Sequence, residues 1–61
     1  MVQLNELELQ NLRHLIGSHE TAYQKMTVYA QSASDPQVKQ FFQKSAQDAQ
    51  KTKQQLLSFL S

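Results

Sequence analysis

Ala30-Gln31-Ser32-Ala33-Ser34-Asp35-Pro36-Gln37-Val38 is the stretch on which the fold turns. The residue before a proline avoids helical backbone angles, and proline itself is tolerated at the first position of a helix. Asp35 therefore reads as the N-cap of a helix beginning at Pro36, and the preceding helix has to stop by about Ser32. Outward from this junction, in both directions, a mostly apolar or small stripe recurs at spacings of three and four. Towards the N-terminus it comprises Leu9, Leu12, Ile16, His19, Tyr23, Met26, Ala30 and Ala33; towards the C-terminus, Val38, Phe42, Ser45, Ala49, Thr52, Leu56 and Phe59. An average spacing of 3.5 residues keeps one side of an α-helix against a partner over many turns. The prediction is an all-α chain, residues 1–61 forming one antiparallel hairpin. Helix one covers about 5–32, the turn 33–35 and helix two about 36–60.

Local signals support each end. Asn5 and Glu8 stand at the spacing of a capping box, with Leu4 and Leu9 placed around it as a hydrophobic staple. Gly17, the one glycine, falls on the outer face of helix one and weakens it by roughly 1 kcal/mol relative to alanine. A connection this short forces the helices to lie side by side. Folding there sets Ala30 against Phe41 and Phe42, Met26 against Ser45, Tyr23 against Ala49, His19 against Thr52, Ile16 against Leu56 and Leu12 against Phe59. Large residues of helix one thus face small ones of helix two, which is how interdigitating layers fill a core.

Sixty-one residues bury too little surface in a lone hairpin to offset roughly 1–2 kcal/mol of backbone ordering per residue. Folds of this size lean on disulfides, a metal or self-association. The chain has no cysteine, which removes disulfides and thiolate metal sites and fits a reducing compartment. Association is the remedy left. A second apolar line, Leu15, Ala22 and Tyr29, runs beside the stripe of helix one, and Phe41 and Leu60 widen that of helix two. Both stripes are then broader than a two-helix contact covers, and a symmetric homodimer closing a four-helix bundle is the simplest completion. The expected interface residues are Leu12, Leu15, Ile16, His19, Tyr23, Met26 and Tyr29 on helix one, with Phe41, Phe42, Ala49, Leu56 and Phe59 on helix two.

Net charge is +1, too near neutral to call for a polyanion, but it is polarised. Residues 1–35 hold Glu6, Glu8, Glu20 and Asp35 against Arg13 and Lys25; residues 36–61 hold Lys39, Lys44, Lys51 and Lys53 against Asp48. The plain reading is two helices that attract each other. Eleven glutamines keep the outer positions polar without charge. No apolar run approaches the ~20 residues of a membrane span, and no signal-peptide pattern is present, so the expectation is a complete, cytoplasmic chain with no membrane partner.

Little is left for chemistry. His19 sits on the core stripe beside Glu20, which makes the two the candidates for a metal site. The alternative is an imidazole packed in the seam and bonded to Thr52, Tyr23 or water. Helix two lacks the Glu-x-x-His pair of di-metal bundles, since Lys51 stands three positions after Asp48, and no cofactor is expected. His14 falls on the outer face. Tyr23, Tyr29, Phe41, Phe42 and Phe59 keep helical spacing and read as packing residues, not as base-stacking platforms. With no phosphate loop and no base placed to activate a serine or threonine, the chain is not expected to be an enzyme.

From Tyr23 to Leu60 the chain resembles the coat F family of small ferritin-like proteins from endospore-forming bacteria. The junction Ala30-Gln31-Ser32-Ala33-Ser34-Asp35-Pro36-Gln37-Val38-Lys39-Gln40-Phe41-Phe42 carries the likeness, with the closing Gln54-Gln55-Leu56-Leu57-Ser58-Phe59-Leu60. The resemblance implies a ferritin-like hairpin and a sporulation-related, spore coat setting. Where that family carries a Glu/His-rich second helix and an extended tail, glutamine and lysine stand in the second helix here and the sequence runs to Ser61.

The reading is a non-catalytic structural or interaction protein, homodimeric and able to take a protein partner. One rival is a degenerate ferritin-like metal binder using His19 and Glu20. The other is a small RNA- or DNA-binding bundle, disfavoured because the four lysines of helix two spread over more than one face with no arginine among them.

Overall fold

The computed structural model describes residues 3–60. They form a hairpin of two helices, α1 (Glu6–Ser32) and α2 (Pro36–Leu57), closed by a short 3-10 turn, Ser58–Leu60; no strand occurs among the described residues. The rod is 45 Å long and 16 by 12 Å across.

Each helix begins on a side-chain cap. Asn5 lies just outside α1 with extended backbone angles, and its carboxamide oxygen accepts from the Glu8 N–H at 2.7 Å. Glu8 answers by accepting from the Asn5 N–H at 3.1 Å, so the capping box is complete. Asp35 caps α2, one carboxylate oxygen accepting from the N–H groups of Gln37 at 2.8 Å and Val38 at 3.0 Å. Pro36 follows at the first helical position, where its missing N–H leaves nothing unsatisfied. α1 ends as Ala33 turns to extended angles while its N–H still reaches the Tyr29 carbonyl. Three residues then suffice to reverse the chain.

The first stripe faces α2 along its whole length. Leu12 and Ala30 are buried, and Leu9, Ile16, His19, Tyr23, Met26 and Ala33 are half-buried. On α2 the seam takes Phe42, Ser45, Ala49, Thr52 and Leu56, with one addition the heptad reading left out: Ala46 is the most enclosed residue of that helix, at 6% exposure. Phe42, Ala46, Ala49, Lys53 and Leu56 also follow at spacings of four and three, so the contact line lies between two valid stripes. The stripe ends Val38 and Phe59 each remain 45% exposed. The α-helix of the second half also stops at Leu57, tightening into the 3-10 turn that carries Phe59.

Among the described residues only Leu12, Ala30 and Ala46 count as buried, and two of the three are alanines. Full burial of a leucine-sized side chain is worth about 1.5–3 kcal/mol, and an alanine offers far less. Gly17 meets open space where a Cβ would stand, consistent with its place on the outer face.

Candidate interaction surface

The hairpin has two flanks, and they differ in chemistry. On one, Thr27 and Gln31 of α1 and Lys39, Gln43 and Gln50 of α2 surround a polar groove of about 640 Å³. Glu20 and Lys53 bridge the helices on this side at 2.6 Å, and the Gln24 side-chain amide donates to the other Glu20 oxygen at 2.8 Å. The Lys53 hydrogen bond, helped by that from Gln24 and by the ammonium charge, holds the Glu20 carboxyl below its ordinary range. Lys53 lays its aliphatic stem along the seam and delivers its charge at the rim, which explains how a lysine comes to be half-buried.

The other flank is apolar. Leu15 and Tyr29 lie fourteen residues apart on α1 and so on one line; Ala22 falls midway between them. Near the turn, Tyr29, Val38 and Phe42 line an open hollow of about 370 Å³. The Tyr29 and Phe42 rings meet edge to face with centroids 5.3 Å apart, and Phe41 stands against Phe42 at 5.7 Å. At the opposite end Leu4, Leu12, Leu15 and Phe59 line a second hollow of about 320 Å³. Between these clusters lie half-buried residues, many of them small: His19, Ala22 and Met26 on α1, with Ser45, Ala49 and Thr52 on α2. No large, exposed apolar side chain falls between Leu15 and Val28 on α1, or between Phe41 and Leu57 on α2. The flank is a shallow saddle with an apolar block at either end. Phe41, at 66% exposure, is the most open aromatic.

His19 is half-buried, and its Nδ1 lies 2.8 Å from the Leu15 carbonyl oxygen one turn earlier. That partner differs from the Thr52, Tyr23 or water expected from the stripe. The imidazole is short enough to fold back on its own helix, so it never needs to cross the seam. Glu20, the other metal candidate, is engaged by Lys53 and Gln24, an arrangement that leaves it on the polar flank. Sequence reasoning paired His19 with Thr52 yet did not join Glu20 to Lys53, although each follows its stripe residue by one and the charges are opposite. Among the described residues no group of three or more His, Cys, Asp or Glu side chains converges.

Three hydroxyls bond to their own helix. Thr27 Oγ1 donates to the Tyr23 carbonyl at 2.8 Å, Ser32 Oγ to that of Val28 at 3.0 Å, and Ser58 Oγ to that of Gln55 at 2.6 Å. No described helix is long and apolar enough to cross a membrane.

The twelve residues expected at an interface are distributed between the seam and this apolar flank. Leu12 is buried and Ile16, Tyr23, Met26, Ala49 and Leu56 are half-buried along the seam; Leu15, Tyr29, Phe41 and Phe59 are exposed. Phe42 and His19 are half-buried as well. Comparison with protein families, curated proteins and solved structures finds no match to the chain.

Proposed function

We propose that this chain is a non-catalytic structural or interaction module whose working form is a homodimer, a second copy covering the apolar flank to complete a four-helix bundle. The observation that carries this reading is the imbalance between a seam with three buried residues and a flank bearing Leu15, Tyr29, Phe41 and Phe59. Area gives a second measure. A compact 7.0 kDa protein exposes about 4,000 Å², whereas this hairpin exposes 4883 Å². The excess, roughly 800 Å², is what one partner contributes to a standard interface.

A scaffold role fits a hairpin in which Glu20, Gln24 and Lys53 bond to one another on one flank while Leu15, Tyr29, Phe41 and Phe59 stay exposed on the other. The likeness of the Ala30–Phe42 junction to coat F proteins adds a setting, endospore-forming bacteria, and carries no role for an individual residue. Sedimentation equilibrium at micromolar concentration tests the proposal. The expected mass is twice the 7.0 kDa of the chain; a folded monomer whose mass is independent of concentration overturns it.

A further inference from the structure

We infer that the second copy packs turn over turn, so that α1 of each protomer lies on α2 of the other and Lys25 pairs with Asp48 of the partner subunit across both edges of the bundle. This deepens the homodimer reading and rests on it.

Two copies can bring the same flank together about either of two dyads. A dyad along the rod keeps both turns at one end and places α1 over the partner's α2. A dyad across the rod puts turn over open end and places α1 over α1, α2 over α2. Both arrangements match block to block and saddle to saddle, so apolar packing does not separate them. Charge does. α1 carries Glu6, Glu8 and Glu20 against Arg13 and Lys25, while α2, capped by Asp35, carries Lys39, Lys44, Lys51 and Lys53 against Asp48. Only the dyad along the rod sets the acidic helix on the basic one.

The register then picks out one pair. Glu20 lies beside Lys53. Five residues further along α1 is Lys25, and five residues back along α2 is Asp48, so these two share a level on the rod. Both sit on the shoulder of the apolar flank. Lys25 is three residues after Ala22 and four before Tyr29; Asp48 is seven after Phe41 and four before Thr52. Both are exposed, and neither takes part in an ion pair among the described residues. Within one hairpin they stand on different helices, on shoulders facing the same way, and do not meet. Turning a second copy about the long axis carries its α1 shoulder over the α2 shoulder of the first at the same level, and Lys25 reaches the partner's Asp48 twice. Turning it about the cross axis places Lys25 over the partner's α1, far from any Asp48.

Carbodiimide, which joins an amine to a carboxylate in direct contact, reads this out on an equimolar, co-refolded mixture of unlabelled and 15N-labelled chain. Mass spectrometry should find Lys25–Asp48 peptides of mixed label. The Glu20–Lys53 link, of single label, serves as the control for an intact hairpin. A dimeric mass with the control link present and no mixed-label Lys25–Asp48 peptide overturns the turn-over-turn arrangement and leaves the homodimer standing. A monomeric mass overturns both. Charge reversal provides a second reading: Asp48→Lys should raise the dimer Kd about tenfold, and adding Lys25→Asp should restore it. Equal weakening by the single and the double variant would reject the pair.

Discussion

The two flanks of this hairpin are built from the same two helices and meet water in opposite ways. On the polar flank every described carboxylate–ammonium contact is internal: Glu20 holds Lys53, and Gln24 takes up the remaining oxygen. Folding pairs the Glu20 and Lys53 charges on that side. On the apolar flank the rings of Tyr29, Phe41 and Phe42 satisfy one another only in part, and Phe41 stays two-thirds exposed. Folding a single chain leaves that side unfinished. An ion pair already made within the hairpin gains little from a partner, whereas an exposed apolar block gains about 25 cal/mol for each Å² covered. The proposed homodimer places its interface on the apolar flank for that reason.

The comparison breaks most completely if the seam beneath both flanks is removed. Ile16→Asp puts a carboxylate into the seam beside Leu56, at several kcal/mol against a small total stability, and circular dichroism should show loss of helix together with loss of dimer. Retention of helicity would mean that Ile16 does not face α2. The flanks themselves separate under Phe41→Glu. In a lone hairpin a substitution at so exposed a site changes stability by no more than about 0.5 kcal/mol. In the bundle it buries a charge, and the dimer Kd should rise at least a hundredfold by sedimentation while helicity at high concentration persists. Gln47→Glu, on the polar flank, should leave the mass unchanged.

Gly17→Ala addresses the back of the rod, which neither flank uses. Its Cβ would meet open space, and the glycine has ordinary helical angles, so thermal melts should show a gain of roughly 1 kcal/mol with unaltered mass. The smallest effect belongs to Glu20→Gln. Because the native carboxyl titrates below its ordinary value, its ion pair stabilises the fold above the usual glutamate range near pH 4.3. That contribution disappears as pH falls through the depressed native value. Wild type should therefore melt slightly higher than the variant at pH 7, and the two curves should converge in acid. A difference that persists at pH 2 would place the effect in packing instead of charge.

The hairpin was legible because its signals are local and repeat. Asn5 with Glu8, Asp35 with Pro36, and a spacing of three and four each act within one or two turns, where chain geometry leaves few alternatives. Ala46 was not legible as a seam residue. Phe42 can continue to Ser45 or to Ala46 with equal helical spacing, and only the approach of α1 decides between them. His19 eluded the stripe for a related reason: a side chain can lie on the inner face and still satisfy its nitrogen on its own helix. Function is less legible still. A catalytic or metal site announces itself by dissimilar polar groups converging on a point, while an apolar block specifies the shape of what covers it and little of its identity.

The connection Ala33–Asp35 between helices of 27 and 22 residues has a kinetic consequence. Helices form within about a microsecond, and the entropy of closing a loop grows only with the logarithm of its length, so so short a connection makes reversal of the chain an inexpensive and rapid event. In the proposed homodimer, the hairpin would then reach its own geometry well before it meets a second copy. Refolding after dilution from denaturant should accordingly show a fast helical signal that is indifferent to protein concentration, followed by a slower change around the tyrosines whose rate rises in proportion to it.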